Sequence, residues 1–95
     1  MKYINMFREG MHVSEVYLCK NKQIQLTKTG KEYGNLVLQD KTGTIDGKIW
    51  DLSSPGVGNF EAMDYVYIDA DVNVFQGSNQ LNIRRIRKAR EEEYI

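Results

Sequence analysis

Disulfides, prolines and histidines are nearly absent from this chain. Each near-absence removes a class of protein. A single cysteine, Cys19, leaves no internal disulfide framework, which points to a reducing, cytoplasmic setting. A single proline, Pro55, sits in the one loop-rich stretch, "DLSSPGVGN", and elsewhere the pattern is mostly strand-like. No apolar run approaches membrane-spanning length, so no membrane partner is expected. The first ten residues, "MKYINMFREG", carry charge throughout and lack the apolar stretch of a signal peptide. There is no internal repeat and no low-complexity segment.

Net charge is also missing, with 13 basic residues against 13 acidic in a chain of 95. The zero hides a sidedness. Lys20, Lys22, Lys28 and Lys31 fall in a stretch without an acid, as do Arg84, Arg85, Arg87, Lys88 and Arg90. Glu61, Asp64, Asp69 and Asp71 fall in a stretch without a base. A neutral total therefore leaves a polyanion partner open.

What is present is alternation. In "LVLQDKTGTIDGKIWD", Leu36, Leu38, Ile45 and Ile49 fall on one side of a hairpin whose turn is Asp40-Lys41-Thr42-Gly43. Val37, Gln39, Asp46, Lys48 and Trp50 fall on the other, so a tryptophan occupies a face that should meet water. The same reading gives strands over 13–27, 32–40, 44–50, 65–75 and 80–87. In the first strand Val16 and Leu18 share one face, and Ile24 and Leu26 share one face. "CKNKQ" between them breaks the register and implies a bulge or bend. In the fourth, Val66, Ile68, Ala70, Val72 and Val74 alternate inward. In the fifth, Leu81 and Ile83 point inward, and Ile86, out of step, implies a bulge near Arg84-Arg85. Ser54 and Pro55 suit the start of a short helix, which Gly56 and Gly58 weaken. Residues 1–11 read as a lead-in packed through Ile4 and Phe7 and turned at Gly10. Residues 89–95 read as a helical turn or a disordered tail.

A long bent first strand, five strands in all, and a short helix or irregular segment between strands three and four describe an all-β, five-stranded OB-fold barrel over residues 12–88, in a single domain spanning 1–95. An SH3-like barrel is the competing architecture. It has shorter strands and lacks the segment after strand three.

"GKEYGNLVLQDKTGTIDGKIWD" and "VFQGSNQLNIRRIR", with the lead-in Glu9-Gly10, carry a resemblance over nearly the whole chain. They resemble the OB domain at the N-terminus of YhaM-type 3′-5′ exoribonucleases and, more widely, OB domains of the tRNA-anticodon-binding kind. The resemblance departs at Gly34, where that family tends to carry a large apolar residue. Gly34 marks either a gap or a close backbone approach. In the family a larger HD-type metal-dependent hydrolase domain performs the cleavage. One histidine, His12, does not supply such a site, so the resemblance implies a non-catalytic binding domain, with "EEEYI" resembling the start of an interdomain linker. It implies single-stranded RNA or DNA as partner, RNA favoured, and no cofactor or metal.

OB-folds bind single strands on the outer face of strands two and three, between the walls formed by the one–two and four–five turns. On that frame Tyr33 and Trp50 are stacking platforms, Lys48 a phosphate contact and Asn35 a base-edge reader. Lys28 and Lys31 sit in the first wall. Phe75, Ser78, Asn79 and Gln80 sit in the second, with Asn82 and Arg84 behind on strand five. The acidic fourth strand belongs to the opposite surface. Plainer readings stand beside these. Trp50 equally suits a lid over the barrel mouth, Phe75 a loop anchor, and "RRIRKAR" with "EEE" an internally paired solvated run. Asp46 counts against phosphate, although it can accept from a base amine. His12, Tyr65 and Tyr67 read as ordinary surface residues. Cys19 reads as a small apolar residue in the core or on the outer face. Asp40, Asp46 and Asp51 lack metal-loop spacing. The rival function is a protein-interaction module, with Trp50 and Phe75 as anchors and an open strand edge for pairing.

Overall fold

A computed structural model describes residues 2–95. The long strand β1 (His12–Leu26) is followed by β2 (Glu32–Asp40), β3 (Gly43–Ile49), β4 (Tyr65–Phe75) and β5 (Ser78–Lys88). They close into a barrel in the order β1-β2-β3-β5-β4. Every neighbouring pair is antiparallel except β3 with β5. This is an all-β, OB-like barrel, closed through the short parallel contact of β3 with β5.

β1 makes closure possible by serving two partners. His12–Leu18 pairs with β4 and Leu18–Leu26 with β2, the register slipping between Cys19 and Asn21. The bulge falls within the "CKNKQ" break, and a bulge bends a strand sharply enough to hand it from one neighbour to the next. The Cys19 carbonyl and amide there meet the Met63 N–H and the Asp64 carbonyl.

Leu36, Leu38, Ile45 and Ile49 are all buried, joined by Val66, Ile68, Ala70, Val72, Leu81, Ile83 and Ile86. Apart from Ala70, each such aliphatic side chain contributes about 1.5–3 kcal/mol when taken out of water. A one-residue slip in the β2–β3 hairpin would turn four of them outward together, which holds its register. The bulge in β5 is also present: Asp69 faces Arg85 and Ala70 faces Ile83, so Arg84 is the extra residue.

Several expectations are corrected. The buried side of β1 is Val13, Tyr17 and Cys19, not the face of Val16 and Leu18, which are half-buried. Ile24 and Leu26 are exposed, because this end of the β1–β2 pair projects past the barrel. Val74 is exposed where β4 runs out into its turn. Ser54 starts no helix. Residues 51–59 form successive turns, and Val57 makes one parallel bridge to Ile86. The Ile86 N–H donates to Gly56 and the Gly58 N–H to Ile86, so the backbone of this segment is satisfied against β5 without a helical ladder.

The lead-in packs as expected. Ile4 and Phe7 are buried, Phe7 edge-on to Tyr17, and Gly10 turns the chain at φ +89°. Asp40 ties the lead-in to the hairpin turn: its carboxylate accepts from the Thr42 N–H at 2.7 Å, the Thr42 hydroxyl at 2.6 Å and the Ile4 N–H at 2.8 Å. Partial burial pushes its pKa up, but these donors outweigh that and hold it below the usual carboxylate range. The tail makes one 3-10 turn, Glu91–Glu93, held by Arg87 gripping the Glu93 carboxylate at 2.7 and 2.9 Å. Tyr94 stacks on Tyr65 at 4.3 Å. The Arg87 and backbone donors push Glu93 down to about 2.

Gly34 marks a close approach rather than a gap. A Cβ there would lie 3.2 Å from Ile49 Cβ and 3.4 Å from Leu52 Cδ2. Gly47 is tighter still, 2.7 Å from Ile83 Cδ1, where β3 and β5 draw together to close the barrel.

Candidate nucleic-acid interface

The outward residues of β2 and β3 line up by register. Asn35 faces Lys48, which faces Asn82 on β5; Val37 faces Asp46, which faces Gln80. On the β1 side Gln25 faces Tyr33 and Gln23 faces Asn35. A strip of polar and aromatic side chains thus runs across four strands.

Tyr33 and Trp50 meet at its β1 end. Their ring centroids are 5.0 Å apart with planes tilted by 32°, and Trp50 is 46% exposed. One aromatic surface is covered by the partner ring, and the pair still presents area to solvent. Gln25 organises the strip. Its Oε1 accepts from the Tyr33 hydroxyl at 2.9 Å and from Asn35 Nδ2 at 3.2 Å, while Asn35 Oδ1 accepts from the Lys48 ammonium. The chain Tyr33–Gln25–Asn35–Lys48 fixes the orientation of the Asn35 amide and holds the lysine against the sheet. Gln25 is not among the residues that the sequence singles out. Its only signal was alternation with Gln23 on the outer face of β1.

Lys28 and Lys31 are exposed in the β1–β2 turn, which Thr27 closes by accepting the Lys31 N–H on its hydroxyl. Asp51 lies below the usual carboxylate range, chiefly through Ser53, with Lys31 adding to the effect. At the other end the β4–β5 turn, with Gln76 at φ 52° and Gly77 at φ 82°, walls a hollow of about 280 Å³ lined by Asp46, Lys48, Phe75, Ser78, Asn79 and Gln80. Phe75 is 56% exposed, so it anchors no loop core.

Two expected members are committed elsewhere. Asn79 Nδ2 donates to the Phe7 carbonyl at 3.0 Å and so secures the lead-in. Arg84, thrown outward by the bulge, pairs with Asp71 at 2.6 Å and lines a separate hollow with Pro55, Gly56 and Arg85. The fourth strand also needs correction. Asp71 faces Asn82, which faces Lys48, so this acidic residue flanks the strip and does not back it, while Asp69 faces Arg85.

His12 has partners that only the β1–β4 pairing supplies. Its Nδ1 lies 2.9 Å from Asp71, its Nε2 contacts Asp69, and Ser14 donates to Asp69 at 2.8 Å. Hydrogen bonds to Asp71 and Asp69 raise the imidazole pKa. Cys19 lies in the core, its thiol pushed up by burial. Among the described residues no three His, Cys, Asp or Glu side chains are grouped to hold a metal ion, and no helix is long and apolar enough to cross a membrane.

Fold and face together define a small closed β-barrel of the OB-like class, with an outer strip of paired rings, amides and one ammonium group. No family model matches the chain. It is similar to proteins named 3′-5′ exoribonuclease YhaM: 33% identical over 94 residues to that of Bacillus velezensis, covering 99% of this chain and 30% of the relative. The protein of that name from Listeria monocytogenes is 34% identical over 83 residues, covering 87% of this chain and 26% of the relative. That from Bacillus pumilus is 32% identical over 94 residues, covering 99% and 30%. The chain thus spans under a third of the length of these curated relatives.

Proposed function

We propose that the chain is an OB-fold module, of the tRNA-anticodon-binding kind, that holds single-stranded nucleic acid, RNA in preference to DNA, with a largely permissive sequence preference. It acts as the non-catalytic substrate-binding domain of a larger cytoplasmic 3′-5′ exoribonuclease, in which a C-terminal HD-type hydrolase domain cleaves. One observation carries the reading: the Tyr33–Trp50 ring pair is presented on the same outer face as Lys48. Stacking on aromatic rings supplies about 1–3 kcal/mol per base and tolerates any base, while lysines alongside neutralise phosphates. The similarity to proteins named as exoribonucleases supports RNA as the strand.

Tyr33, Trp50 and Phe75 are the stacking surfaces in this scheme. Lys28, Lys31 and Lys48 meet phosphates, and Asn35, Gln80 and Asn82 offer amides to base edges. Asn79 and Arg84 shape the surround through Phe7 and Asp71.

Oligonucleotide binding measured across a salt series tests the proposal. Strand binding through these lysines gives log K falling linearly with log salt, at about 0.7 per neutralised phosphate. Trp50, the chain's sole tryptophan, reports the same titration by quenching. A flat salt response or silent Trp50 fluorescence would instead favour the protein-interaction module.

A further inference from the structure

Phosphate contacts and stacking leave Asp46 unexplained. It is exposed near the middle of the strip, between Val37 and Gln80, and lines the same hollow as Phe75. Lys48 lies two residues along the same strand, yet its ammonium goes to Asn35. Among the described residues no ion pair or hydrogen bond engages the Asp46 carboxylate. A free carboxylate on a surface meant only for phosphates would oppose binding.

We infer that Asp46 reads a base edge, and that the hollow it shares with Phe75 is a guanine-preferring subsite on an otherwise permissive face. The inference rests on the proposed single-strand reading and names one position within it. An ionised carboxylate offers two acceptor oxygens and no donor. In a single strand the Watson–Crick edges are free. Guanine is the one common base that sets two donors, N1–H and the 2-amine, side by side on that edge, matching both oxygens at once. Adenine and cytosine each offer an amine beside a bare ring nitrogen, whose lone pair faces the carboxylate. Uracil offers one N–H between two carbonyl oxygens, which repel it. Phe75, 56% exposed, lines the same hollow and offers a ring for that base to stack on. A base turned edge-on to Asp46 also keeps its own phosphate away from the carboxylate.

The test uses dye-labelled oligo-uridine strands carrying one central guanosine, inosine, adenosine or uridine. Affinity is read by anisotropy alongside Trp50 quenching. The expected result is about tenfold tighter binding of the guanosine strand than of all-uridine, the scale of one bidentate base contact. Inosine, lacking the 2-amine, falls between, and Asp46→Asn removes the preference while keeping or strengthening oligo-uridine binding. Equal binding of all four strands by the wild type overturns the inference, as does a guanosine preference that survives Asp46→Asn. If oligo-uridine quenches Trp50 without any preference, only the subsite fails. If no strand binds, the nucleic-acid reading falls and takes the subsite with it.

Discussion

Replacing Trp50 with alanine separates what the ring does for the barrel from what it does for a ligand. With Trp50 46% exposed, roughly half of the ~250 Å² that a tryptophan can bury is already out of water. At about 25 cal/mol per Å² that half corresponds to ~3 kcal/mol, an upper bound because the alanine retains Cβ and the unfolded chain is itself partly compact. Loss of the Tyr33 contact adds about 0.5–1.5 kcal/mol. A chain of 95 residues has a typical stability of about 5–14 kcal/mol, so Trp50→Ala should lower the urea midpoint yet leave the barrel folded. Oligonucleotide affinity, measured on folded protein well below that midpoint, should fall by about 1–3 kcal/mol, the cost of one base–aromatic stack. Tyr33→Phe is the internal control, since it keeps the ring and loses only the hydroxyl to Gln25. A stacking role for Trp50 is refuted if Trp50→Ala lowers the urea midpoint while affinity per folded molecule stays at the wild-type value. The ring would then be a structural lid.

Lys48→Ala should act through charge, flattening the log–log salt slope by about one phosphate's worth, 0.7–0.9, in the oligonucleotide titration. Gly47→Ala should destabilise the barrel by about 1–3 kcal/mol in urea unfolding, because the new methyl meets Ile83 Cδ1 at 2.7 Å inside a packed core. The His12 cluster should give stability a pH dependence. Its imidazole pKa is raised, so its contribution is full below the unfolded value near 6.5 and is lost as pH rises through the folded value. Asp69 and Asp71 are lowered, so theirs holds above about pH 4 and is lost on acidification through the folded values. Urea midpoints recorded from pH 5 to 9 should decline at the alkaline end in the wild type, and His12→Gln should flatten that decline.

The elements legible in the chain were those whose signal is local. β2 and β4 run between the residues that alternation alone marks, 32–40 and 65–75, because a period of two along a strand reports which face is dry. Both bulges were legible for the same reason: each is a break in that period. Local pattern failed where a strand outlasts its core. Ile24, Leu26 and Val74 alternate correctly but project beyond the barrel, and the pattern cannot say where neighbours end. Over residues 51–59 the irregular segment is the alternative that forms, where backbone bonds to β5 substitute for a helix.

By itself, the sequence determined a five-stranded all-β barrel, the inward and outward faces of its β2–β3 hairpin, and the aromatic and basic residue types along the outer one. Tertiary structure alone decided which of those side chains remain available. Arg84 is drawn to Asp71 and Asn79 to the Phe7 carbonyl, while Gln25 enters the strip and His12 gains its two carboxylates. The difference is physical. Burial follows from each residue's own polarity and its place in a period of two. A side chain's hydrogen-bond partner, by contrast, is chosen by neighbours that folding brings from up to 72 residues away in sequence.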